Sequence, residues 1–146
     1  MNKEYLIEAL RLYGRTKAQE LRNKAPNMTD TEIINDEDFI PIWKPGPQIL
    51  GAPVQFNNQV YRVLQAHDST GNETWNPINT PALFGICHTT NPQKAKYWIQ
   101  PLGISGVYKI NECYKDENEQ VWQQTYDGDN VYDAETLPER WNLIIP

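Results

Sequence analysis

The sequence predicts a mainly β protein with an N-terminal α-helix, its β part built as two small antiparallel β-modules in tandem. Apolar residues recur at three- and four-residue steps through the first 24 positions and lose that period afterwards. From residue 39 onward, short β-prone runs alternate with Pro, Gly and Asn turns. The β part also echoes itself. Pro81-x-x-Phe84 and Pro138-x-x-Trp141 close its two halves, and Trp43 and Trp98 stand near their starts. The expected division is residues 1–38, 39–90 and 91–146.

From Lys3 to about Lys24, Leu6, Leu10, Tyr13 and Leu21, flanked by Ile7 and Leu12, define one face of an amphipathic helix. Gly14 weakens its middle by about 1 kcal/mol relative to Ala. Ala25-Pro26-Asn27 ends it, because proline cannot continue the hydrogen-bond ladder. The apolar stripe has to be covered by the β part, by a groove on another protein or by copies of itself; its heptad run is too short and interrupted to specify a coiled coil. Met28 to Asp38 form an acidic connector in which Thr29-Asp30-Thr31-Glu32 has the pattern of a helix-starting capping box.

In the first module, Val54-Gln55-Phe56, the turn Asn57-Asn58 and the run Gln59 to Ala66 form a hairpin. Alternation puts Val60, Arg62 and Leu64 on one face and Tyr61, Val63 and Gln65 on the other. A polar loop from His67 to Thr74 leads to Trp75-Asn76-Pro77 and Pro81-Ala82-Leu83-Phe84. The second module has Tyr97-Trp98, a strand from Val107 to Tyr114, an acidic turn from Lys115 to Glu119 and a strand from Gln120 to Tyr126. The turn Asp127 to Asn130 and a closing segment from Leu137 to Ile144 follow.

The totals narrow the function classes. A chain of 146 residues holds one ordinary domain or two very small ones. Five Trp and eight Tyr supply flat apolar surface that must be buried or offered to a ligand. A net charge of −6 without a Lys/Arg stripe argues against nucleic acid as a partner; the basic residues between Arg11 and Lys24 are interleaved with Glu20 on a solvated helix face. No run approaches the roughly 18 apolar residues of a membrane span, so no membrane insertion is expected. The first residues lack a signal-peptide h-region, which points to synthesis in the cytosol. Cys87 and Cys113 fit no zinc spacing and are expected as buried free thiols, with one disulfide between them as the alternative. With no Gly-rich phosphate loop, no Cys/His constellation and acids mainly in solvated turns, no cofactor, metal or catalytic apparatus is expected.

The run Trp43-Lys44, Gly51, Val54 to Ser69, Trp75-Asn76-Pro77 and Thr80 to Phe84 resembles the chitin-binding-like carbohydrate-binding modules of families 5 and 12, in the versions found in bacteriophage and prophage structural proteins. The chain departs from that pattern with Gly51-Ala52-Pro53 before the first strand and Phe84 in place of a final Trp. The second half keeps its final ring, Trp141, but lacks the His-x-Ser loop and the Trp-x-Pro. The resemblance implies a non-catalytic adhesin with polysaccharide or surface glycan as partner. It further implies a place on a virion surface (tail, baseplate or capsid) and attachment to other virion proteins, or homo-oligomerisation with a trimer favoured, through the N-terminal helix. The alternative is a purely structural virion component whose modules contact neighbouring proteins. An accessory subunit of a secreted glycan-degrading enzyme fits less well without a signal peptide.

Sugars are held by stacking their C–H faces on aromatic planes while polar groups meet the hydroxyls. Tyr61, His67, Asp68, Ser69, Asn72 and Trp75 fit that mixture in the first module, and Trp122 and Tyr132 in the second. Tyr61 and Trp75 are equally suited to filling a small core. His67, Asp68 and Ser69 are too close in sequence to form a hydrolytic relay. Trp43, Trp98 and Trp141 are assigned to cores, and the pair Cys87-His88 has no second ligand cluster or activating base beside it.

Overall fold

In the computed structural model, which describes residues 2–146, the expected helix forms as α1, Lys3–Lys24. Asn2 caps it by accepting the Tyr5 N–H at 2.8 Å, and Ala25–Asn27 tightens into a 3-10 turn where Pro26 ends the ladder. Leu21 is the one buried residue of α1; its first turns stand clear of the body, with Leu10 and Leu12 each 61% exposed. The connector then folds as α2, Asp30–Asn35. Its capping box is complete: Thr29 Oγ1 accepts the Glu32 N–H at 3.1 Å and Glu32 Oε1 accepts the Thr29 N–H at 2.9 Å.

The first half of the β region contains β1, Pro47–Gln48, β2, Pro53–Phe56, β3, Gln59–Val63, β4, His67–Asp68, and β5, Phe84–Ile86, of which β2, β3 and β5 make the first sheet. Strands β2, β3 and β5 pair antiparallel in that order, and β1 pairs with β4 as a separate short ribbon. Phe56 opposite Gln59 leaves Asn57-Asn58 as a two-residue loop at φ 49° and 61°, the left-handed values such a hairpin requires and Asn tolerates. The central strand β3 is buried on both faces. Val60 joins Leu21, Ala25, Ile33, Ile34 and Cys87, while Tyr61 and Val63 join Trp43, Val54 and Phe84. The connector, read from sequence as polar, thus contributes two fully buried isoleucines to the helix-side core.

The second sheet runs β6, Lys96–Tyr97, β7, Cys113–Lys115, β8, Val121–Gln124, and β9, Trp141–Ile145. Its order is β6-β7-β8-β9, antiparallel except that β6 lies parallel to β7. The strand expected from Val107 to Tyr114 is broken. Tyr108 bridges Asn130, the chain turns through Asn111 at φ 68°, and the sheet is entered only at Cys113.

The sequence echo has a backbone counterpart. Trp43 N–H donates to Gln55 O at 2.7 Å, and Trp98 N–H to Lys115 O at 3.0 Å. Gly51 and Asn111, at φ 79° and 68°, donate to Val63 O and Gln124 O. Leu64 N–H reaches Leu83 O as Thr125 N–H reaches Arg140 O, each at 2.8 Å. Apart from an irregularity between Val121 and Trp122, the β2-β3-β5 and β7-β8-β9 meanders therefore share one register, in which Trp122 stands where Tyr61 does and Trp141 where Phe84 does.

Two charged clamps join the helical segment to the sheets. Arg62 donates from Nε to Asp30 Oδ1 at 2.9 Å, from Nη1 to Ala25 O at 2.7 Å and from Nη2 to Met28 O at 2.5 Å. Glu37 pairs with Lys94 at 3.3 Å and with Lys96, both beyond the first sheet. Parallel rings bridge the halves as well: His88 stacks on Tyr108 at 3.7 Å, and Tyr108 on Trp98 at 4.8 Å.

Removing Arg62 leaves the Met28 carbonyl and the Asp30 carboxylate without their guanidinium partner and takes one of two bonds from the Ala25 carbonyl, so Arg62→Ala is expected to lower unfolding free energy in urea by about 2–3 kcal/mol. Arg11→Ala, which breaks only an exposed pair with Glu8, should leave the midpoint unchanged. Burial pushes the Glu112 carboxyl up to about 7, against the lowering effect of the Lys109 N–H that it accepts. Its neutral form is favoured by folding, so this contribution is complete below the ordinary carboxylate pKa and is lost as pH rises through about 7. Glu112→Gln is therefore expected to raise the thermal midpoint at about pH 8 and to change it little at about pH 5.

Candidate ligand surface

The loop between β4 and β5 is a chain of tight turns. Asp68 Oδ1 accepts the Thr70 N–H at 2.9 Å and its hydroxyl at 2.5 Å, which holds the Asp68 carboxyl below its ordinary pKa. Asn72 N–H donates to Ser69 O, and Trp75 N–H to Asn72 O. Asn76 Oδ1 accepts the N–H groups of Ile78 and Asn79, while Thr80 Oγ1 donates to Asn76 O at 2.7 Å. Such Asx and backbone turns fix the loop without a core of its own. They present the Trp75 ring to solvent at 42% exposure, with Asp68 and Asn72 also exposed.

The other first-module candidates lie elsewhere. Tyr61 is only 2% exposed and edge-on to Phe84, because β3 is covered on both faces; it is a core residue, not a ligand platform. Ser69 is also enclosed. Its hydroxyl donates to Gly46 O and accepts the Gly46 N–H, each at 3.2 Å, which joins β4 to the β1 side. His67 is half-buried, edge-on to Phe84 at 5.5 Å, with Nδ1 donating to Gln65 O. Its ring and the Ser69 hydroxyl thus serve backbone groups and not each other. Burial raises the Cys87 thiol pKa, and it pushes His88 down to about 4, leaving a neutral ring whose Nε2–H donates to Gly106 O at 2.7 Å. That pair fills space and carries no activated nucleophile.

The second sheet carries a groove of about 470 Å³ that sequence reading did not identify. Trp98 and Tyr114 line it deeply, half-buried Trp122 and exposed Tyr97 complete its aromatic surface, and Asp116 and Glu135 stand among its acids. Trp122 was expected as a ligand residue, and it lines this groove; Tyr132 is exposed but lies outside the lining, its carbonyl accepting Trp141 Nε1–H at 2.9 Å. Asp116 Oδ2 accepts Trp122 Nε1–H at 2.9 Å, and Oδ1 accepts the N–H groups of Asn118 and Gln120. Burial raises the pKa of that carboxyl, but these three bonds outweigh it and the net shift is downward. Tyr114 Oη accepts the Ala134 N–H at 2.9 Å and so fixes the wall that carries Asp133 and Glu135. The missed signal was Tyr97-Trp98, which occupies the place of Ile42-Trp43 and adds a second ring beside the sheet.

Among the described residues, no group of three or more His, Cys, Asp or Glu is placed to hold a metal ion, and no helix is long and apolar enough to cross a membrane. Residues 49–85 match the family model described as carbohydrate-binding module family 5/12. The matched segment holds β2, β3, β4 and the Trp75 loop and ends at the start of β5; α1, α2 and the second sheet lie outside it. No curated protein matches the chain.

Proposed function

We propose that the chain is a non-catalytic glycan-binding protein whose 49–85 segment, similar to carbohydrate-binding modules of family 5/12, adheres to polysaccharide through the face of Trp75. One observation carries the reading. Trp43, Tyr61 and Phe84 are enclosed in this segment and its border, while Trp75 is open on a loop held rigid by its own turns. An indole plane in that setting stacks on the C–H face of a pyranose with little ordering to pay for, and Asp68 and Asn72 on the same loop can meet hydroxyls.

One such contact is weak, and repetition multiplies it. The apolar residues at the free end of α1, Leu6, Leu10 and Leu12 among them, give the chain a surface for self-association, with a trimer favoured, or for attachment to a larger particle. Together with the resemblance to phage structural proteins, this supports a place on a virion surface, with the helix inward and the modules outward. A purely architectural role draws on a different feature, the loop where Leu102 and the 92% exposed Ile104 offer apolar contact to a neighbouring protein.

Trp75→Ala is expected to abolish retention on insoluble chitin or host cell wall while changing stability by less than about 1 kcal/mol, since the ring is open. Failure of the wild-type chain to bind any polysaccharide would favour the architectural role. In sedimentation, the wild type is expected as an oligomer and the double variant Leu6→Glu, Leu10→Glu as a monomer. A wild-type monomer would remove the helix from assembly.

A further inference from the structure

Three features of the second-sheet groove select the chemistry of its occupant. Its walls are aromatic: Tyr97 at 49% exposure and half-buried Trp122 leave ring surface open, on a floor of Trp98 and Tyr114. Its charge is one-sided. Four carboxylates, Asp116, Glu117, Asp133 and Glu135, stand against a single ammonium, Lys115, which is already engaged by Glu119 at 3.5 Å and by the Tyr97 ring at 5.2 Å. The geometry is fixed before any ligand arrives, because Trp122 is tied to Asp116 and the acidic wall to Tyr114.

Open rings attract apolar sugar faces and cations alike, and ionised acids beside them favour a cation over a neutral or acidic ligand. We infer that this groove is a second glycan subsite, and that it takes sugars bearing free amines, such as a polymer of glucosamine, in preference to their N-acetylated forms. The inference rests on the glycan-binding reading given above and assigns a different ligand class to a different face. The first segment offers one ring on an open loop, with no such acidic wall. The second offers a concave, negatively charged aromatic slot. The common backbone register thus presents two chemistries from one chain.

The test is calorimetric titration of the full chain, in mildly acidic low-salt buffer, with chitosan oligosaccharides and with their N-acetylated chitin counterparts. Chitosan oligosaccharides are expected to bind the wild type at least tenfold more tightly than Tyr97→Ala or the double variant Glu117→Gln, Glu135→Gln. All three substitutions are at exposed positions, and urea unfolding of each variant reports that the fold is kept. Trp75→Ala is expected to retain chitosan binding while losing chitin retention. Raising the salt should weaken chitosan binding more than chitin retention. Unchanged chitosan affinity in both groove variants, or its loss in Trp75→Ala, would overturn the assignment and leave the Trp75 reading intact. Chitosan binding that depends on Tyr97, in a chain that never adheres to chitin, would support the groove and overturn the Trp75 reading.

Discussion

The Arg62 guanidinium is the contact on which the rest of the arrangement depends. Its planar fork gathers two carbonyls at the end of the α1 segment and the Asp30 carboxylate at the start of α2, from a position in the central strand of the first sheet. The Met28 carbonyl follows a proline-bearing turn and has no continuing helix to satisfy it, while the Ala25 carbonyl, which accepts the Met28 N–H at 3.1 Å, has a second lone pair to offer. By filling both, Arg62 draws the helical segment across β3, and Ile33, Ile34 and Leu21 close over Val60. Glu37 extends the same logic to the second half through Lys94 and Lys96. Burial raises the Glu37 pKa, but the two lysines outweigh that effect and hold the carboxyl ionised.

Local patterns made much of the fold legible. The period of α1, the Thr29 to Glu32 capping box and the Asn57-Asn58 turn each act within a few residues, and each forms where the sequence places it. Longer-range features were less visible. Arg62 was correctly placed on a face with Val60, but nothing near it in sequence indicates that its partners lie over thirty residues upstream. Ile33 and Ile34 were hidden by acidic neighbours, whose capping and pairing roles made the segment look merely polar. The break between Tyr108 and Cys113 leaves no mark in the pattern, because Asn111 sits inside a β-prone run while its left-handed backbone does the work of Gly51 in the first half.

The same limit governed the candidate site. Aromatic content showed that flat surface was present, but partition between core and exterior depends on what covers each strand. Tyr61 and Trp122 share one position of the repeat and have different fates. The first faces a sheet interior closed by Trp43 and Phe84, and the second opens onto a groove beside an acidic turn. Trp75 escapes burial because its loop is organised by side-chain-to-backbone turns, with Pro77 and not the indole turned inward. Equal backbone registers thus carry unequal exteriors, one closed and one open.

The stack of His88, Tyr108 and Trp98 ties those exteriors together. His88 follows the last strand of the first sheet, and Trp98 forms part of the groove on the second sheet, with one phenol plate between them. Plates in face contact transmit thickness. Any substitution that widens or thins one layer displaces the next, so the inheritance of the two halves is coupled, and drift in the first is felt as a change of depth in the second.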